Sequence, residues 1–305
     1  MLRSVNVFFA VFTIIFLMSG CGGENDVSGE QNNSSGDETI TFAVTDLVGM
    51  EELKRNFEPF QEELSNILEQ EVELFPVSDR TAAVSALQSD QADLVLTGPA
   101  EYIIINETTN IAPLVGLTRP GYRSAIAVKK SSDYESIEDL EGASIGMSDI
   151  GSTSGHLGPS KILMDNGINP QEDVDIKMLG DADLTAFANG DVEAWGGNLP
   201  DDLQRFAESD SNDLSMDELR IFEGRELPND IFIANSNTLS EEQINRIQES
   251  MSNNAQALVD SIADGSKNEK YEESEIIEAD DSQYEYVRGM YEAIGVNDLT
   301  EFVGD

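Results

Sequence analysis

Apolar positions from Ile40 onward follow two alternating rhythms. Ile40-Thr41-Phe42-Ala43-Val44 reads as a strand, and Val72 to Val77 alternates as a second. Between them Leu53, Phe57, Phe60, Leu64, Ile67 and Leu68 recur at spacings of three and four, which predicts an amphipathic helix. Thr81 to Leu87 predicts a short helix, and Asp93 to Thr97 a third strand ending at Gly98-Pro99. Strand, helix, strand, helix, strand implies parallel strands joined by crossover helices. Ile111 to Leu117 and Ser124 to Val128 add strands. The rhythm then restarts with a strand at Ala143 to Met147, a helix at Ser154 to Met164 closed by Gly167, and a strand at Val174 to Leu179. A helix at Asp181 to Ala188 and strands at Val192 to Trp195, Leu219 to Phe222 and Ile231 to Ala234 follow.

The C-terminal part reads as helical. Ser240 with Gln243 forms a capping box, and Ile244, Ile247, Met251, Ala255, Leu258 and Ile262 follow on one face. Tyr284, Val287, Tyr291 and Ile294 make a second stripe, stopped by Gly295. Two successive α/β units with returning helices predict an α/β protein of two lobes joined by a hinge, with crossings near Val128 and near Ile231. Lobe 1 is expected to be residues 40–128 plus 232–305, and lobe 2 residues 129–231. Ligands of open α/β sheets bind beyond the carboxyl ends of the strands, so the natural site is the cleft between lobes.

The first forty residues do not join this pattern. Arg3 precedes an apolar run from Val5 to Met18, followed by Ser19 and Gly20, the layout of a secretory signal over 1–20. Leu17-Met18-Ser19-Gly20-Cys21 resembles a bacterial lipobox, which implies cleavage before Cys21 and lipidation of its thiol. Residues 22–38 hold one aliphatic side chain, Val27, among Gly, Asn, Ser, Asp and Glu, and should form the rest of a flexible tether spanning 21–39. A membrane anchor through lipid on Cys21 is therefore expected.

Charge narrows the partners. The 305 residues carry 60 acids against 17 bases, a formal charge of -43. That excludes nucleic acid, which requires clustered Lys and Arg. The acids are spread along the whole chain, as on a solvated surface adapted to salt, where the Debye length falls to about 3 Å. A salt-loving source follows from that reading; a surface for cations is the competing one. A single cysteine rules out an internal disulfide or a multi-cysteine zinc site, and the motifs call for neither metal nor cofactor.

The most informative segment runs from Asp149 to Pro159. It follows a strand, opens a helix and places Ser152, Thr153 and Ser154 between Gly151 and Gly155. Hydroxyls beside the free N–H groups of a helix start favour an anion. Ordinary capping needs only one of them.

With this segment the chain resembles the phosphate/phosphite/phosphonate substrate-binding proteins of ABC transporters, whose Ser-Thr-Ser-Gly signature matches Ser152 to Gly155. Asp93 to Tyr102, Tyr122-Arg123-Ser124, Ile137 to Gly142 and Asn189 to Ala194 resemble further family segments in the same order. The likeness covers most of residues 40–235. It implies a type II periplasmic-binding fold, capture of a tetrahedral oxyanion and delivery to an ABC permease by a monomer. It implies that Ser152, Thr153 and Ser154 hold anion oxygens and that Tyr102 donates its hydroxyl from lobe 1. Tyr122 is a further ligand candidate. Asp79-Arg80 stands where the family often has Asp-Tyr, so Arg80 either grips an oxyanion or is a surface charge. Ala182 stands where the family often has His; His156, the only histidine, substitutes for it or is structural. Asp230 could face the cleft and select a ligand amine or a protonated oxyanion. No nucleophile–base pair, Gly-x-Ser-x-Gly elbow or metal cluster supports an enzyme. A binding protein of the same fold serving another small anion or a sensor kinase is the alternative.

Overall fold

The structure is a computed structural model and describes residues 39–45, 47, 49–78, 82–209 and 214–302. The expected signal segment, Cys21 and the tether through residue 38 lie outside the described residues, as does Arg80.

The chain opens with β1 (Ile40–Val44), α1 (Met50–Leu68), β2 (Val72–Leu74), α2 (Ala82–Gln88), β3 (Leu94–Thr97), α3 (Pro99–Thr108) and β4 (Ile111–Leu117). β1 pairs in parallel with both β2 and β3, as the alternation of strands and helices requires. The stripe of α1 is buried against this sheet, with Phe57 and Phe60 packed around Phe42 and Phe232. β3 is buried along its whole length, which suits a central strand covered on both faces.

The second sheet is built from β5 (Arg123–Lys129), β6 (Ser144–Met147), β7 (Asp175–Met178), β8 (Ala194–Asn198) and β9 (Leu219–Glu226), in the order β7-β6-β8-β5-β9. Its helices are α4 (Gly158–Asp165), α5 (Asp183–Asn189) and α6 (Arg205–Glu208). The chain then returns through β10 (Asp230–Asn235), α7 (Glu241–Asn253), α8 (Ala255–Ala263), β11 (Ile276–Glu278) and α9 (Glu285–Ala293). β10 and β11 complete the first sheet, in the order β11-β4-β10-β3-β1-β2. α7 carries the capping box of Ser240 and Gln243.

These pairings correct the expected boundaries. β5 lies in the second sheet, paired antiparallel with β8 from Ser124↔Asn198 to Val128↔Ala194 and with β9 on its other edge. The chain therefore first crosses between sheets at residues 118–122, ahead of the expected Val128, and crosses back at 227–229, next to the expected Ile231. The run Ser124 to Val128 is apolar enough for either sheet, so its pattern cannot assign it. Its partners, some seventy to a hundred residues onward, do. The usable local signal is Pro120-Gly121, a turn with Gly121 at φ 75° directly before β5.

Candidate functional site

Where β6 ends, the backbone turns through Gly151 at φ 85°, a left-handed conformation that glycine adopts without strain. Ser152 then caps the helix, its Oγ accepting from the Gly155 N–H at 3.2 Å. The first turn, Thr153–Leu157, is wound in π geometry and runs directly into α4. As the first two helical residues, Thr153 and Ser154 have N–H groups with no intrahelical carbonyl to bond. Ser152, Thr153 and Ser154 all line one cavity of about 600 Å³.

The facing wall belongs to the first sheet. Gly98 and Glu101, from the start of α3, line the same cavity. The Ala100 N–H donates to Thr153 Oγ1 at 3.0 Å. Two helix N-termini thus converge, and the dipoles of both favour negative charge between them. Because Thr153 Oγ1 accepts from Ala100, its own proton is available to another acceptor.

Arg119, in the first crossing segment, lines the cavity at 8% exposure. Its guanidinium stacks 3.6 Å from the Tyr122 ring centroid. Nη2 donates to Asp201 at 2.8 Å, and Nη1 lies 3.6 Å from Asp230. Burial opposes its charge, but Asp230 and the other neighbouring groups outweigh that and hold it protonated. Arg205, Lys267 and Lys270 also line the cavity, so four of the chain's 17 Lys and Arg gather there beside six acids. The cavity is far richer in cations than the rest of this acidic chain. Asp202 lines it as well, at an exposed position. Among the described residues no group of three or more His, Cys, Asp or Glu side chains could hold a metal ion.

Residues 42–284 match the family described as ABC transporter, phosphonate, periplasmic substrate-binding protein. The chain belongs to this family. It is 26% identical over 201 residues to the phosphate-import protein PhnD of Mycolicibacterium smegmatis. That match covers 61% of this chain and 62% of the relative, less than two thirds of its length. PhnD1 of Prochlorococcus marinus, solved in complex with methylphosphonate, superposes with a TM-score of 0.63 at 18% identity, over 84% of this chain and 98% of that one. A Xanthomonas citri protein solved bound to ATP gives 0.68 at 14% identity, over 84% and 97%. At such identities these neighbours show the fold alone, the two-lobed type II periplasmic-binding fold. The family is one of substrate-binding proteins, not enzymes.

In this phosphonate-family binding protein the six described ligand candidates besides Arg80 and Asp230 do not all meet. Ser152, Thr153, Ser154 and Tyr122 line the cavity. Tyr102 does not: its ring is buried 4.5 Å from that of Tyr284, and its hydroxyl donates to Asp281 at 2.9 Å. One residue along a helix turns about 100°, so α3 gives Glu101 to the cleft and Tyr102 to the core beside α9. Asp230 is 1% exposed and lies behind Arg119, with Oδ2 accepting from the Tyr271 hydroxyl at 2.6 Å. The amine-selecting role expected of Asp230 is thus already occupied by protein partners. Arg119, Asp201 and Arg205 were not signalled by any motif; only the turn after Arg119 marks its neighbourhood.

His156 also stands outside the cavity lining. Its Nδ1 accepts from the Gly151 N–H at 3.1 Å, tying the loop to the helix. Burial lowers its pKa to about 4, so it is neutral at pH 7. A histidine that binds protons less readily when folded makes acid favour the unfolded chain. Its contribution is complete above pH 6.5 and is lost as pH falls toward 4, about 2 kcal/mol after allowing for partial screening. His156→Asn keeps an acceptor near Gly151 without titrating. Thermal unfolding across pH 7 to 4 should therefore show a shallower fall for this variant, and parallel curves would remove His156 from the account.

Proposed function

We propose that this chain is an exported, lipid-anchored solute-binding protein that captures a small phosphorus oxyanion and presents it to an ABC permease. The observation that carries the reading is the start of the Thr153 helix. There a hydroxyl whose acceptor side is filled by Ala100, with two N–H groups free of intrahelical bonds, borders a cavity between two lobes. Phosphate, phosphite and methylphosphonate each offer several strong acceptor oxygens to such donors. The cavity is of ordinary ligand-site size. An anion bridging the two helix starts would hold the lobes together, and the closed form would be the one the permease engages.

The leader and the lipobox-like segment ending at Cys21 support export and anchoring. Among the described residues no helix is long and apolar enough to cross a membrane. The protein acts as a monomer in this reading, and its acidic surface suits salt-rich surroundings, where charge repulsion of an incoming anion is screened.

Thermal unfolding of the full-length protein in detergent and high salt, with phosphate, phosphite, methylphosphonate, 2-aminoethylphosphonate or sulfate, tests the reading. A ligand at a hundredfold over its Kd should add about 2.7 kcal/mol, a rise of roughly 5–10 °C. At least one phosphorus oxyanion is expected to give it, and membrane retention is expected to vanish in Cys21→Ser. Stabilisation by sulfate alone, or by none of the panel, would reject the ligand class.

A further inference from the structure

Arg119 is placed where the two lobes meet at the floor of the cleft. It joins Asp201, which follows β8 in the second lobe, to Asp230, which opens β10 in the first. Arg119 and Asp230 are withdrawn from water, at 8% and 1% side-chain exposure, and Asp201 is partly buried at 21%. The stack on Tyr122 fixes the guanidinium plane. Arg119 Nε and Asp230 Oδ1 are both buried without a hydrogen-bond partner among the described residues, so the cluster is not a fully satisfied structural network.

The other acids at the cavity are differently placed. Asp183 accepts from Trp195 Nε1 at 2.9 Å and from the Leu184 N–H. Glu101 turns back over Gly98 at the start of its own helix. Asp149, Asp181 and Asp202 are exposed, where solvent weakens any pairing with a ligand cation. The carboxylates left to recognise a cationic group are therefore buried Asp230 and partly buried Asp201, and Arg119 engages both, with Arg205 3.7 Å from Asp201 as a second cation.

Resting on the oxyanion reading above, we propose that Arg119 is the specificity-determining residue of the cleft. By pairing with Asp201 and Asp230 at once, it denies both carboxylates to a ligand cation and so selects fully ionised phosphorus oxyanions that carry no cationic group. Without Arg119, the buried Asp230 and partly buried Asp201 would repel such an anion and welcome an ammonium group.

Titration calorimetry of the full-length protein in detergent, with methylphosphonate and 2-aminoethylphosphonate at pH 8.5, tests this. The wild type should bind methylphosphonate at least about tenfold tighter. Arg119→Gln should move the ratio of the two Kd values toward the amine by about thirtyfold or more, while Arg119→Lys keeps the wild-type order. If Arg119→Gln does not fold, the double variant Arg119→Gln/Asp230→Asn, which strands no charge beside β10, should move the ratio the same way through Asp201. A wild-type preference for the amine, or a ratio that stays within about threefold in the variant that folds, overturns the role of Arg119 alone. A wild type that binds no phosphorus oxyanion overturns the ligand reading beneath it.

Discussion

Thr153→Val is expected to weaken oxyanion binding by roughly one to two orders of magnitude. Valine keeps the shape of threonine but supplies neither acceptor nor donor. The Ala100 N–H then loses its 3.0 Å partner, and the anion loses a hydroxyl donor. A hydrogen bond to a charged group contributes about 1.5–3 kcal/mol, which corresponds to a roughly 10- to 150-fold weaker Kd. The stranded Ala100 N–H adds about 1–3 kcal/mol of instability, because Thr153 is only 4% exposed. Thr153→Ser should retain most binding. Calorimetry on both variants decides: unchanged affinity in Thr153→Val would place the anion away from this helix start.

Gly158→Ala should have the largest effect on stability. Gly158 continues the same helix where it crosses β5, and a Cβ there would stand 2.6 Å from Ser124 Cβ and 3.1 Å from the Thr153 carbonyl oxygen. Rotation of the Ser124 hydroxyl cannot relieve the first contact, because it is made to Cβ. The helix must lift from the sheet, at about 3 kcal/mol, or roughly 6–12 °C in Tm. The lift also carries Thr153 away from Ala100, so binding should weaken with it. Ser124→Gly in the same chain removes the clashing atom and should restore part of both losses. A wild-type Tm in Gly158→Ala would mean that the close approach of helix and β5 is not needed.

These two predictions sit on a segment whose chemistry is local. A hydroxyl run between glycines after a strand names a helix start and its donors, because capping and helix-end polarity depend on neighbours within about four residues. The parallel order of β1, β2 and β3 and the stripe of α1 are legible for a similar reason: a two-residue or three-to-four-residue period states which face must be buried. Tyr102 shows the limit of that reasoning. Its place in the family-like Gly-Pro turn suggested a ligand contact, yet its direction depends on Tyr284 and Asp281, which lie on the returning C-terminal segment.

By itself the sequence determined an exported α/β chain with two strand-and-helix units and an anion-seeking helix start at Ser152 to Ser154. Only the tertiary structure decided that β5 belongs to the second sheet, that His156 ties down a loop, and that Asp230 is covered by Arg119. The physical reason is range. Periodicity and capping are set by adjacent residues, whereas the Arg119 clasp joins groups 82 residues apart, and the charge state of a dry carboxylate depends on whatever the fold brings beside it.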